Sequence, residues 1–173
     1  MSLRPGSACA DGNPGVITSR CHCTDKGRLK KALKSGNVHA TGLIIQGQFA
    51  GYLTVTLSIL ERPCVLTLLK QPSNQPPQLP VAKILMIAVD ERFQGRGMGS
   101  MLMAEAFTRA IKIHEAVPIK GIYLDAGPGT AKFYQSLGFE ALDDVALDGT
   151  TPMFMAMGVV LDAMAEAVLG GGG

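Results

Sequence analysis

An apolar, strand-like run, Ile84-Leu85-Met86-Ile87-Ala88-Val89, is followed shortly by Gln94-Gly95-Arg96-Gly97-Met98-Gly99, and a helical pattern begins directly after it. This glycine-rich strand-to-helix turn constrains the chain more than any other feature. Glycines there let the main chain come close to an anionic ligand, because no Cβ stands in the way. The first N–H groups of the helix, with the positive end of its dipole, then bind phosphate. The turn therefore points to a pyrophosphate site, with a plain connector as the alternative. Two other phosphate loops match less well. A Gly-x-Gly-x-x-Gly reading from Gly95 and Gly97 puts its third glycine on Ser100, so a Rossmann site fits poorly although Asp125 closes the next strand candidate. The Gly-x-x-x-x-Gly-Lys-Ser/Thr spacing of a P-loop is not present in this turn.

The chain of 173 residues suits one domain long enough to bury a core. A hydrophobic content of 47% and a mean hydropathy of +0.23 exclude a disordered polymer. No uninterrupted apolar run reaches transmembrane length, and the N-terminal residues lack a signal-peptide pattern. A cytoplasmic protein with no membrane partner is the expectation. Cys9, Cys21, Cys23 and Cys64 do not make a secreted disulfide framework in a chain this long. Cys21-His22-Cys23 lacks the second ligand pair of a zinc site, so no metal is assigned. The net charge of +2 is unevenly spread: seven bases face two acids in residues 1–60, and nine face twelve in the rest. That asymmetry points to an anionic partner on the N-terminal side.

Residues 1–15, rich in Gly, Pro and Ser, are expected to be disordered, residues 16–169 to form the single domain, and the glycine run 170–173 a flexible tail. Thr24 or Asp25 can cap a helix to about Lys34, stopped by Gly36. Strands are predicted at residues 41–45 and 52–60 with a turn near Gly47-Gln48, a loop at 71–80, and strands at 81–89, 119–124 and 153–157. Helices are predicted over about 97–114 and 130–137, the second ending at Gly138 with Phe139 packing back. The order of elements indicates an α/β fold.

The turn matches Gln/Arg-x-x-Gly-x-Gly/Ala through Gln94, Gly97 and Gly99, and Phe133-Tyr134-Gln135-Ser136-Leu137-Gly138-Phe139 follows downstream. Together these resemble, in order, the two acetyl-CoA segments of the GNAT N-acetyltransferases, over roughly residues 81 to 158. The resemblance implies a mixed central β-sheet flanked by helices, with a splayed strand pair at the acetyl-CoA site. It implies that main-chain groups of Ile87, Ala88 and Val89 bind the pantetheine arm. The loop Gln94, Gly95, Arg96, Gly97, Met98 and Gly99 would hold the pyrophosphate, and Phe133 would border the cofactor. Tyr134 matches the tyrosine that serves as general acid toward the departing thiolate; the alternative is a purely packing aromatic. Acidic residues are absent between Glu61 and Asp90, so the strand that bears a catalytic glutamate in many of these enzymes has none. That favours an α-amino acceptor, whose pKa of about 7.7–8.0 leaves it partly neutral, over a lysine near about 10.4.

Within the family, the layout resembles the toxins of bacterial type II toxin–antitoxin modules, which acetylate the α-amine of aminoacyl-tRNA. The support is Cys23 before a basic helix, Leu79-Pro80, Ala88-Val89-Asp90 leading through Glu91-Arg92-Phe93, and Tyr134. The family's Arg-Leu-Ala-Val-Asp departs here to Met86-Ile87-Ala88-Val89-Asp90. Lys26, Arg28, Lys30, Lys31 and Lys34 would meet tRNA phosphates, unless they form a solvated helix face. A cognate antitoxin and a homodimer follow as family expectations. Two alternatives stay open: transfer to a small-molecule or protein amine, and a non-catalytic acetyl-CoA-binding module.

Overall fold

The computed structural model describes Ile17, Thr18, Lys34, Gly36 and residues 38–61, 78–144 and 146–170. Its sheet runs in the order β2 (His39–Ile45), β3 (Gln48–Glu61), β4 (Gln78–Val89), β5 (Gly121–Ala126), β7 (Thr151–Ala156) and β6 (Glu140–Ala141), with β1 (Ile17–Thr18) beside β4. The β4–β5 and β1–β4 pairs are parallel and the others antiparallel, so the sheet is mixed, as expected. Helix α1 (Met98–Ala116), α2 (Ala131–Ser136) and α3 (Met157–Gly170) complete the domain.

Strand alternation sorts the core into two faces. Ala82 and Ile84 of β4, Ile122 and Leu124 of β5, and Met153 and Met155 of β7 pack with Leu102, Ala106 and Val160 of the helices. Their neighbours in sequence, Val81 and Phe154, form a smaller cluster on the other face, against Tyr123. The β2–β3 hairpin turns at Gln46-Gly47, one residue earlier than predicted. Both residues have positive φ (49° and 75°), which a two-residue hairpin loop of the right twist demands.

Helix α2 ends as the sequence suggested. Gly138 adopts φ +99°, the Gly138 N–H donates to Gln135 O at 3.0 Å, and the Phe139 N–H donates to Tyr134 O at 3.1 Å. This is a Schellman closure, and the Phe139 ring completes it by packing edge-on against Tyr134 at 5.8 Å.

Several expectations need correction. Gln78, Leu79 and Pro80, predicted as loop, begin β4: Leu79 is fully buried, and Pro80, lacking only an N–H, still accepts from Lys120 N at 2.8 Å. The strand predicted at 119–124 lies two residues further on, because Ile119 is buried just before the ladder starts. The strand expected to reach Met157 stops at Ala156, and α3 follows it without a break through Gly170, into the presumed glycine tail. The continuous apolar run across Met153–Leu161 hid that boundary, since it has neither strand nor helix period. The two-residue strands β1 and β6 were not predicted either. The helix expected before Gly36 falls outside the described residues apart from Lys34, which is helical and exposed.

Candidate active site

The sheet opens at its centre. Strands β4 and β5 pair only through Ala82↔Ile122, Lys83↔Tyr123 and Ile84↔Leu124, although β4 continues to Val89 and β5 to Ala126. The cause is local. Thr54 of β3 faces Met86 while Val55 faces Ile84, leaving Leu85 as an extra residue in β4. A bulge of this kind bends its strand and increases the twist, and the β4–β5 ladder ends at the residue before it. Beyond the bulge lies a narrow cleft of about 20 Å³, lined by Leu85, Met86, Ile87, Asp125, Thr130 and Tyr134, among others.

Strand β3 follows one edge of β4 as far as Val89, and the Asp90 N–H donates to Ala50 O at 2.8 Å. Because main-chain groups alternate between edges, those of Val89 and Ile87 turn to the opposite, opened edge. Two features occupy part of it. The Gln94 side chain donates from Nε2 to Val89 O at 3.1 Å, and Ile17 and Thr18 pair alongside Ala88 and Val89. An unpaired strand edge recruits such a partner readily. The stretch expected to bind the pantetheine arm is thus shared: Ile87 lines the cleft, while Ala88 and Val89 lie beside β1.

At the end of β4, Asp90 accepts from the Arg92 N–H at 3.0 Å and from Arg92 Nε at 2.9 Å, fixing a single 3-10 turn over Glu91–Phe93. The glycine loop comes next. Gly95 and Gly97 have φ +68° and +78°, and a Cβ built on either would meet no atom within 4 Å. Glycine is therefore required at Gly97 by backbone conformation and not by packing, and the space beside it is open. Gly97 is the N-cap of α1, with no side chain capping the helix and no acid in its first turn. The first helical bond runs from Met101 N to Gly97 O, so the N–H groups of Met98, Gly99 and Ser100 precede the intrahelical ladder. Arg96 is exposed beside them, Met98 is half-buried and Gly99 buried. This cradle suits an anion. The Gln94 side chain, at the head of this loop, ties it to β4.

Tyr134 stands on α2 at the cleft, with a relative exposure of 5%. Thr130 fixes the approach to that helix, its Oγ1 donating to Gly127 O at 2.8 Å. The Phe133 ring, half-buried, meets the Tyr134 ring edge-on at 5.2 Å. Burial pushes the Tyr134 phenol up to about 12. It therefore keeps its proton throughout the neutral range and can act only as a donor to a developing anion. Asp125, which the sequence reading used only to test for a Rossmann site, enters the same cleft. No local sequence signal marks it, because the bulge it lies opposite exists only in the register of β3 against β4.

Both histidines among the described residues lie away from the cleft. His114 is 2.9 Å from Ile119 O through Nδ1, a structural contact at the end of α1, and His39 is exposed on β2. Cys21-His22-Cys23 and the basic residues Lys26, Arg28, Lys30 and Lys31 lie outside the described residues. Among the described residues, no group of three or more His, Cys, Asp or Glu could hold a metal, and no helix is long and apolar enough to cross a membrane.

The residues present suit an elongated thioester with a pyrophosphate at its far end. The helix N-terminus is uncapped, the β4 edge is open at Ile87, and a protonated phenol stands at the cleft. Comparison with known proteins agrees with that geometry. A family model described as an acetyltransferase (GNAT) domain matches residues 45–141. The tRNA-acetylating toxin of Mycobacterium tuberculosis (strain ATCC 25618 / H37Rv) is 34% identical over 68 residues, 39% of this chain and 41% of that protein's length. A solved structure described as a bacterial toxin is 32% identical, covering 95% of this chain and 90% of its own, with a TM-score of 0.77. AtaT complexed with acetyl-methionyl-tRNAfMet is 23% identical over 84% of this chain and 86% of its own, with a TM-score of 0.69.

Proposed function

The chain belongs to the GNAT acetyltransferase family, and from that premise we propose that it transfers the acetyl group of acetyl-CoA to the α-amine of an aminoacyl-tRNA. The observation that carries the transfer reading is the convergence of a bulge-opened β4–β5 pair, an uncapped helix N-terminus and a buried, protonated Tyr134. The tRNA reading is supported by the 34% identity to a protein named for acetylating tRNA.

Acetyl-CoA supplies an activated thioester carbonyl. The chain's residues do the rest. The N–H groups of Met98, Gly99 and Ser100, with the α1 dipole and the Arg96 charge, hold the pyrophosphate. The main-chain groups of Ile87 at the opened edge hold the pantetheine amides, whose alternative partner is the solvent. An arm continuing along Ala88 and Val89 displaces the two-residue β1. Tyr134 keeps its proton at the phenol oxygen and offers it to the sulfur as negative charge develops there. The face of the cleft away from α1 admits the amine. Lys34 and the basic residues Lys26, Arg28, Lys30 and Lys31 supply contacts to tRNA phosphates. The protein works in the cytoplasm as a homodimer and is held in check by a cognate antitoxin.

The test is transfer of labelled acetyl from acetyl-CoA to total charged tRNA, beside deacylated tRNA. Label on charged tRNA alone supports the reading. Label on neither, with acetyl-CoA bound and small amines acetylated, overturns the tRNA acceptor in favour of a small-molecule one.

A further inference from the structure

No carboxylate projects into the cleft from β4, since the chain has no acid between Glu61 and Asp90. The neighbouring strand supplies one. Asp125, the penultimate residue of β5, lines the cleft with Leu85, Met86, Thr130 and Tyr134. It belongs with Tyr123 to the sheet face turned away from α1, so the cleft passes between the strands with Tyr134 on one side and Asp125 on the other.

Asp125 is held from two directions. The Tyr123 hydroxyl donates to Oδ1 at 2.5 Å, and Lys83 Nζ lies 2.9 Å from Oδ2. Lys83 and Tyr123 are register partners on β4 and β5, and the ammonium stands 4.7 Å from the centre of the Tyr123 ring. Each carboxylate oxygen has two acceptor positions, so one on each remains after these contacts. The Asp125 side chain is 40% exposed and Lys83 26%, leaving the carboxylate open to an incoming group.

We propose that Asp125, held by Lys83 and Tyr123, is the acceptor-amine subsite: its carboxylate accepts an N–H from the incoming amine and aims the nitrogen lone pair at the cleft, while the Lys83 charge favours the neutral, nucleophilic amine over the ammonium. This rests on the acetyl-transfer reading above. The nitrogen bonds to the acetyl carbon as the carbon–sulfur bond breaks. The sulfur's proton comes from Tyr134, and the proton lost by the nitrogen passes to solvent, from which Tyr134 is restored. Among the described residues, the titratable groups at that point are Lys83 on β4, Tyr123 and Asp125 on β5, and Tyr134 on α2. Both charged members of the pair are partly exposed, so the pair contributes little to stability and its removal leaves the fold intact.

The experiment compares the full-length wild type with Asp125→Asn and Lys83→Met. For each it measures kcat/KM with charged tRNA, acetyl-CoA affinity by calorimetry, and inhibition by uncharged tRNA, which lacks the amine. Asp125→Asn lowers kcat/KM by about tenfold to a hundredfold, the scale of a lost hydrogen bond to a charged group, with both affinities within about twofold. Lys83→Met moves the pH midpoint of kcat/KM upward by about half a unit, because the amine then holds its proton longer beside an unopposed Asp125. An Asp125→Asn rate within about threefold of wild type overturns the subsite, on the same energy scale. So does a parallel fall in all three quantities, which marks a structural role. A wild type that acetylates an amino acid amide but not charged tRNA refutes the tRNA acceptor alone; the same variants, read on that amide by the same criteria, then decide the subsite.

Discussion

Replacing Tyr134 by Phe removes one oxygen from a ring whose exposure is only 5% and separates the two things that oxygen does. Burial raises its pKa from 10.0 to about 12. A folded pKa above the unfolded one means that the native state holds the proton more tightly. The associated stability is fully present below about pH 10 and is lost as pH climbs through about 12, amounting to roughly 3 kcal/mol over the two units. The Phe variant lacks that window. For catalysis, a phenol near 12 is a weaker acid than an ordinary thiol near about 8.5, so complete proton transfer to a free thiolate runs uphill by about 5 kcal/mol. The same burial raises the pKa of a thiol held beside Tyr134, making this figure an upper bound. The phenol therefore works by sharing its proton with the sulfur as charge builds. A hydrogen bond to a charged group is worth about 1.5–3 kcal/mol, which predicts a loss of about tenfold to 150-fold in kcat/KM. Two measurements check this: acetyl transfer at neutral pH with acetyl-CoA affinity alongside, and an ultraviolet difference titration of tyrosinate. A rate within about threefold of wild type at unchanged affinity would refute the donor role, on that same energy scale. A Tyr134 ionisation near about pH 10, the unperturbed value, would refute the burial argument.

Four further outcomes follow from the geometry. Gly97→Ala forces a side chain into φ +78° with no neighbour to clash, costing about 1–2 kcal/mol by left-handed strain alone; calorimetry should show weaker acetyl-CoA binding, partly recovered by Asn. Gly121→Ala would put a Cβ 2.2 Å from Met155 O, and since the obstacle is backbone, about 3 kcal/mol and a Tm drop of about 6–12 °C are expected in thermal unfolding. Phe139→Ala empties a site that is packed against Tyr134 at 5.8 Å and Phe107 at 6.3 Å, for about 3–5 kcal/mol in denaturant unfolding, with slower transfer as Tyr134 loosens. Removing residues 1–18 clears β1 from Ala88 and Val89, so acetyl-CoA affinity should rise, by at most about tenfold for a ladder this short.

The local devices were legible because each depends on neighbours in sequence. The helix stop at Gly138 with Phe139 folding back needs one positive φ and one apolar residue after it, and the pattern is written in six consecutive positions. The glycine turn before α1 was readable for the same reason. Strand starts at Gln78 and Gly121 were misplaced because burial of Leu79 and Ile119 by distant partners set them, against the local proline and glycine cues. Helix α3 was invisible inside an unbroken apolar run.

By itself, then, the sequence determined the fold class, the glycine turn that opens α1 and the aromatic pair at positions 133 and 134, all matters of local conformation and residue type. Tertiary structure alone decided where the sheet opens, since the extra residue Leu85 is defined only by the register of β3 against β4. It also decided that Gln94 braces Val89, that β1 shares the open edge, and that burial raises the Tyr134 pKa. Above all it brought Asp125, 35 residues beyond Asp90 in the chain, into the cleft with Lys83 and Tyr123. Strand pairing and burial are non-local quantities, and no window of sequence contains both partners.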